Sequence, residues 1–175
     1  MRILITGANG FIGKNLAAYL THKEHTVEGY DYLDGRFPDQ KDYDRVIHLG
    51  AISDTTEKDV DKILKQNYEF SIKMLELCDI SGVTFMYASS ASLYGNNKEF
   101  KENSPVDPQS PYAWSKYLFD RFVLSVSQYR VNVQGFRLFN VYGPGQNLNN
   151  LRQGMVSIFL AQMLSTSGLT TRYAC

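Results

Sequence analysis

Cysteine is scarce in this chain of 175 residues: only Cys78 and the last residue, Cys175. Two isolated thiols make neither a disulfide framework nor a cysteine-rich zinc site, and they suit a reducing, cytoplasmic compartment. An excess of either charge is also lacking, because eighteen Lys and Arg stand against eighteen Asp and Glu. Proteins that grip nucleic acid through its phosphates carry a basic surplus, so no nucleic-acid partner is expected. No apolar run approaches the ~20 residues that span a bilayer, so no membrane association is expected. The apolar start, Ile3-Leu4-Ile5, is too short for a secretory signal. His22, His25 and His48 show no metal-ligand spacing with acidic partners, and no metal site is expected. Repeats, low-complexity tracts and hinge-like linkers are missing as well. What is present, 43% hydrophobic and 21% charged residues, is ordinary for a globular domain with a sizeable core.

Ile3, Leu4 and Ile5 form a continuous apolar run that stops at Thr6-Gly7, the pattern of a strand buried on both faces of a parallel sheet. Leu16, Ala17 and Leu20 then recur at helical spacing to about His22. Strands are expected at 26–31, 45–49, 83–88 and 131–138. Between them fall helical stretches at 54–78, from Ser110-Pro111 to about Tyr129, and at 154–164. Ser as cap followed by Pro in the first turn marks the second of these starts. Cys78 falls on the apolar stripe of its helix as a core thiol, and residues 96–109 read as a polar surface loop. Alternating strands and helices imply an α/β fold, a doubly wound parallel sheet with helices on both faces.

Three glycines, Gly7, Gly10 and Gly13, are spaced G-x-x-G-x-x-G between the first strand and the first helix, with Phe11 and Ile12 opening the helix. A pyrophosphate must approach backbone N–H groups closely there, and a helix N-terminus adds partial positive charge, so the segment is read as a dinucleotide site. Asp31 ends the second strand, where a carboxylate accepts hydrogen bonds from ribose hydroxyls and favours NAD. Arg36 lies close enough in sequence to meet a 2′-phosphate, which leaves NADP open.

Tyr112 and Lys116 are four apart just after the Ser110 cap, on one helix face. An ammonium beside a phenol lowers the phenol's pKa toward working pH, which makes a base able to take a proton from an alcohol. Ser89-Ser90-Ala91-Ser92 closes the preceding strand, where a hydroxyl can hold the same substrate oxygen.

Taken in order, Thr6–Gly13, His48-Leu49-Gly50-Ala51, Tyr87–Gly95, Tyr112–Lys116 and Phe136–Pro144 resemble the extended short-chain dehydrogenase/reductases, within the NAD-dependent epimerase/dehydratase family acting on nucleotide sugars. The resemblance implies a Rossmann-like fold over residues 1–165, a divergent tail over 166–175, and NAD as a recycled cofactor. It makes Ser90, Tyr112 and Lys116 catalytic and sets Leu49, Gly50, Ala51 and Lys116 against the cofactor. Ser90, Tyr112, Asn140 and Arg152 would contact the nucleotide sugar. The implied reaction is epimerisation through a transient keto sugar, for surface-polysaccharide synthesis. The stripe Tyr117, Leu118, Phe122 and Val123 is read mainly as packing on the sheet, while the resemblance implies a homodimer paired through this helix and the preceding long one. Within the family, Ser53–Glu57 and the Tyr87–Ala91 stretch resemble ADP-glycero-manno-heptose 6-epimerases. Those enzymes carry a second acid/base lysine after the Gly-Pro corner, where this chain has Arg152 and no lysine beyond Pro144. Gly143–Met155 looks closer to sugar 4-epimerases, which is the preferred expectation. A non-catalytic dinucleotide-binding module and a related reductase or dehydratase are the alternatives.

Two departures stand out. Only thirteen residues separate Asp31 from Arg45, so a strand–helix unit usual in the family must be abbreviated, with Arg36-Phe37-Pro38 as a short substitute. The chain is also much shorter than family members, with the sugar-binding part largely missing and a truncation or frame change expected near Ser165.

Overall fold

In the computed structural model of the chain, residues 1–35, 37–146 and 155–166 are described. The chain forms two compact units, Met1–Phe139 and Asn140–Cys175.

The first unit holds a five-stranded sheet of β1 (Arg2–Thr6), β2 (Thr26–Tyr30), β3 (Arg45–His48), β4 (Thr84–Ser90) and β5 (Val133–Leu138). Its order is β2-β1-β3-β4-β5, and every pairing is parallel. Ile3, Leu4 and Ile5 are almost wholly buried, as a strand covered on both faces requires. Between β1 and β2 runs α1 (Phe11–His22). Right-handed crossovers from a sheet whose order reverses at β1 put α1 on one face and the later helices on the other. This is the doubly wound, Rossmann-like architecture the residue pattern implies. The abbreviated unit is seen directly: between β2 and β3 the described residues hold one short 3₁₀ turn, Gln40–Asp42, so β2 is the sheet's edge. Phe37 does not extend the sheet there. Its ring stacks at 5.2 Å on both Tyr30 and Phe70.

The helical stretch after β3 starts later than its period suggests. Asp54 turns the chain by accepting from the Thr56 N–H and hydroxyl. The helix opens only where Asp59 caps it by accepting from Lys62 N, 3.0 Å away. It runs as α2 (Val60–Ile63), a π segment (Leu64–Glu69) and α3 (Phe70–Ser81), which Gly82 closes in the left-handed conformation at φ 75°. Cys78 is fully buried, as its place on the apolar stripe predicts. Helix α4 (Pro111–Ser125) starts at the Ser110 cap, whose hydroxyl accepts from Ala113 N at 3.1 Å. It stops short of Tyr129. The Ser125 hydroxyl bonds the Phe122 carbonyl and the Tyr129 phenol bonds the Val123 carbonyl, which satisfies acceptors that a longer helix would have used. Met74, Leu75, Phe85, Tyr87 and Phe119 pack between the sheet and α3 and α4, with Phe122 and Val123 against them. Burying one such side chain contributes about 2 kcal/mol.

The second unit contains α5 (Met155–Thr166), where a helix is expected over 154–164. Among the described residues no helix is long and apolar enough to cross a membrane.

Candidate active site

The sheet order reverses between β1 and β3, and the carboxyl ends of those strands open on a cleft of about 470 Å³. Ligands of open α/β sheets bind at such a switch point. Gly7, Gly10, Phe11, Ile12 and Gly13 form one wall, Asp31 closes one end, and Leu49, Gly50 and Ala51 form the other wall. Tyr32, Leu33, Ser53, Gln66, Phe70 and Ala88 complete the lining. Ser53 and Ala88 belong to motifs that carry the family resemblance, whereas nothing in the sequence marks Tyr32, Leu33, Gln66 or Phe70 as lining residues.

The wall is shaped by missing side chains. Gly7 has φ 71°, and a Cβ there would stand 2.7 Å from Gly50 Cα. At Gly13 a Cβ would collide with the Gly7 carbonyl oxygen, so α1 could not close onto the loop. Helix α1 has Gly10 at its cap, no side-chain cap bond and no acidic residue in its first turn. Its leading N–H groups and the positive end of its dipole are therefore directed at the cleft with no competing carboxylate. Asp31 takes part in the same corner, accepting from the backbone N–H and side-chain amide of Asn9. A backbone-walled cradle at a helix N-terminus with a carboxylate at the next strand end fits a dinucleotide's pyrophosphate and ribose.

Beneath the cradle a buried chain of hydrogen bonds leads toward α4. Gly50 N–H donates to Thr6 Oγ1 (3.1 Å), which lies 2.6 Å from His48 Nδ1. His48 Nε2 is 2.8 Å from Ser71 Oγ, and the Ser71 hydroxyl donates to the Asn67 carbonyl (2.7 Å). With the Ser71 proton committed to Asn67, the imidazole donates from Nε2 and accepts at Nδ1, so it is neutral. Burial, reinforced by the Lys116 charge, pulls its pKa down to about 3. His48 is thus structural and does not line the cleft. Asn67, wholly buried in the π segment, bonds both backbone groups of Ile52 (2.7 and 3.0 Å) and the Ser115 hydroxyl (3.1 Å). Ser115 in turn donates to the Tyr112 carbonyl at 2.7 Å. A π turn widens the helix by one residue and is often found at functional sites, which makes it the one local feature that points to Asn67.

The predicted catalytic residues lie along the contact of β4 with α4. The Ser90 side chain lies beside the Tyr112 phenol and acts on its protonation, and it accepts from Ser92 N (3.1 Å) and the Ser92 hydroxyl (2.8 Å). One turn further along α4, Lys116 Nζ donates to the carbonyl of Ala88, a cleft residue, at 2.9 Å. Lys116 is buried, and desolvation lowers its pKa to about 8 despite the opposing pull of Asp120. Tyr112 departs from the expected lowering. Burial raises its pKa, opposed by Ser90, because the same dry seam disfavours the phenolate as much as the ammonium. The structure therefore brings Ser90, Tyr112 and Lys116 together and joins them to the cleft through Ala88. Asn140 belongs to the second unit, and Arg36 and Arg152 lie outside the described residues. Among the described residues no cluster of His, Cys, Asp and Glu is arranged to hold a metal ion.

Fold and cradle together define a Rossmann-like dinucleotide-binding protein. The NAD dependent epimerase/dehydratase family matches residues 3–172, and the chain belongs to that family. Its cofactor is NAD, which the cradle fits. The chain is 38% identical to an ADP-L-glycero-D-manno-heptose-6-epimerase of Cupriavidus pinatubonensis over an alignment covering 83% of this chain and 53% of the relative. It spans about half the length of that curated relative. Among solved structures it is similar to the ADP-L-glycero-D-manno-heptose-6-epimerase of Helicobacter pylori, with TM-score 0.80 and 31% identity over 94% of this chain and 64% of that one. The UDP-glucose 4-epimerase of Thermotoga maritima, solved with UDP-glucose, gives TM-score 0.79 and 26% identity over 94% and 63%.

Proposed function

We propose that this chain carries the cofactor site and the catalytic residues of an NAD-dependent epimerase acting on a nucleotide sugar. The observation that supports this most is the Ser90–Tyr112–Lys116 alignment beside a glycine-built cleft. A module that only binds a dinucleotide has no use for a phenol, a hydroxyl and an ammonium on one seam.

In this reading the Tyr112 phenolate takes the proton of a sugar hydroxyl as the carbon bearing it becomes a ketone, and gives that proton back to the same oxygen when the ketone is reduced on its other face. NAD, when bound, supplies the hydride acceptor and then donor that makes this inversion redox-neutral overall. The Ser90 hydroxyl, beside the Tyr112 phenol, holds the reacting oxygen within reach. Burial raises the Tyr112 pKa, so the phenol is its resting form; it gives its proton to solvent before acting as base, and the Lys116 ammonium is the buried charge that offsets the phenolate. Leu49, Gly50 and Ala51 close the cofactor wall, and Asn140 and Arg152 are proposed sugar contacts.

On the sugar, the two heptose 6-epimerase likenesses favour a nucleotide-linked heptose. The 4-epimerase reading is kept by one observation, that residues 145–175 hold Arg152 and no lysine where a second base would stand. Arginine stays protonated and does not replace it. Trp114 and Leu118, exposed on α4, support pairing of two copies through this helix, and sedimentation of the chain with and without Leu118→Glu checks it.

The test is to incubate the 175-residue chain with NAD and a panel of ADP- and UDP-sugars and follow epimers by NMR. Tyr112→Phe is expected to lower turnover by about 10²–10⁴-fold while NAD affinity, read by calorimetry, stays unchanged. Calorimetric binding of NAD with no epimer from any sugar would favour the binding-module alternative.

A further inference from the structure

Asp120 is a buried carboxylate that the reaction above leaves unused. It sits on α4 one turn beyond Lys116, as Lys116 sits one turn beyond Tyr112. Its hydrogen-bond and ion-pair partners all come from other elements. Tyr87 donates its phenol at 3.0 Å and Ser89 its hydroxyl at 3.0 Å, both from β4, and the Arg137 guanidinium approaches at 3.5 Å from β5. Arg137 is itself held by the Tyr94 phenol and the Glu102 carbonyl, each at 3.2 Å. The strand and helix thus meet in a fixed register. Ala88 is on Lys116, Tyr87 and Ser89 are on Asp120, and Ser90 lies beside Tyr112. Such a seam slides only by breaking several buried polar contacts at once.

We propose that Asp120 is a positioning residue for the catalytic pair: by bonding Tyr87 and Ser89 it locks α4 in register on β4, which keeps Lys116 on the Ala88 carbonyl and Tyr112 beside Ser90. This rests on the roles given above to Tyr112 and Lys116. Two ionisable groups act on Lys116: Asp120 on its own helix, and His48 on β3, which burial keeps neutral. Asn67 and Ser71, from the π segment and α3, do not titrate. Desolvation alone drives Lys116 toward the neutral amine, and Asp120 opposes it. Arg137 competes for the same carboxylate from the far side, so the seam carries a Lys–Asp–Arg charge sequence that only a fixed geometry keeps in balance.

The experiment is a titration of the full chain labelled with ¹³Cε-lysine, with the Lys116 resonance assigned by its loss in Lys116→Met. The midpoint is expected near 8 in the unaltered protein. It should fall by about one pH unit in Asp120→Asn and return in Asp120→Glu. A merely structural role would lower the melting temperature of Asp120→Asn and leave the Lys116 midpoint where it was, and that result overturns the proposal. Should Asp120→Asn not fold, Ser89→Ala, which removes one of the bonds Asp120 makes to β4, is titrated instead, and the Lys116 midpoint must move there. No movement there overturns it equally. Turnover is scored separately. A chain inert toward every nucleotide sugar, with the Lys116 shift intact, refutes the catalytic reading and leaves the Asp120–Lys116 coupling standing.

Discussion

The two halves of the site are built by opposite means. The cradle at β1 and α1 depends on what its residues lack: at Gly7 and Gly13 the backbone of one segment fills the space a Cβ would take. The seam between β4 and α4 depends on what its residues carry, with each of Tyr87, Ala88, Ser89 and Ser90 offering one polar group to Tyr112, Lys116 or Asp120. A cradle of backbone recognises a phosphate by shape and by helix dipole, and its tolerance is steric. A seam of buried side chains sets protonation states, and its tolerance is electrostatic. The difference teaches where each half breaks: the first fails when volume is added, the second when a partner is taken away.

The sharpest break is at Asn67, which ties the loop after β3 to the start of α4. Asn67→Ala takes a partner from each backbone group of the half-buried Ile52 and one from the buried Ser115 hydroxyl, which should cost about 3 kcal/mol in denaturant unfolding. A loss no larger than that of an exposed substitution would show that cradle and seam are not joined there.

Next comes a pH dependence carried by His48. Its folded pKa is lowered from 6.5 to about 3, so between those values the unfolded chain takes up a proton that the folded one refuses. Stability is fully present above the unfolded value and declines as pH falls through that window, by something on the order of a few kcal/mol. Chemical unfolding at neutral and mildly acid pH measures the slope, and His48→Gln should flatten it.

A smaller loss of stability is expected at the cradle. Gly7→Ala places a Cβ against Gly50 at φ 71°. It should destabilise by about 1–2 kcal/mol and weaken NAD binding by roughly tenfold or more, with the Lys116 titration unmoved. A shift at Lys116 would mean the halves are electrically coupled. The smallest effect belongs to the exposed Glu57–Lys62 pair at 2.9 Å. Glu57→Gln should leave the melting temperature unchanged, since exposed pairs contribute little.

Much of this was legible in the sequence where the signal is local. The Ile3–Ile5 run, the glycine spacing and the Ser110-Pro111 start each name their element, because sterics and capping act within a few residues. The short interval between Asp31 and Arg45 also announced the missing unit. Helix ends were less legible. Residues 54–58 share a helical period but turn at Asp54, and the helix waits for the Asp59 cap. Residues 126–129 leave α4 because side chains satisfy its last carbonyls. In the site, the cleft wall was foreseen, whereas Tyr32, Gln66 and Phe70 were not, since nothing in their spacing distinguishes a lining residue from a packed one.

The sequence by itself determined the order of strands and helices, the place of the phosphate-binding turn and the spacing that puts Tyr112 above Lys116 on one helix face. Those follow from backbone sterics and helical period, which need no distant partner. It takes the folded sheet to set Asp120 on Tyr87 and Ser89, to make Asn67 the anchor of the loop after β3, and to leave Tyr112 resting as a phenol. Each of these depends on which groups are removed from water together, and burial is a property of the folded assembly of strands and helices.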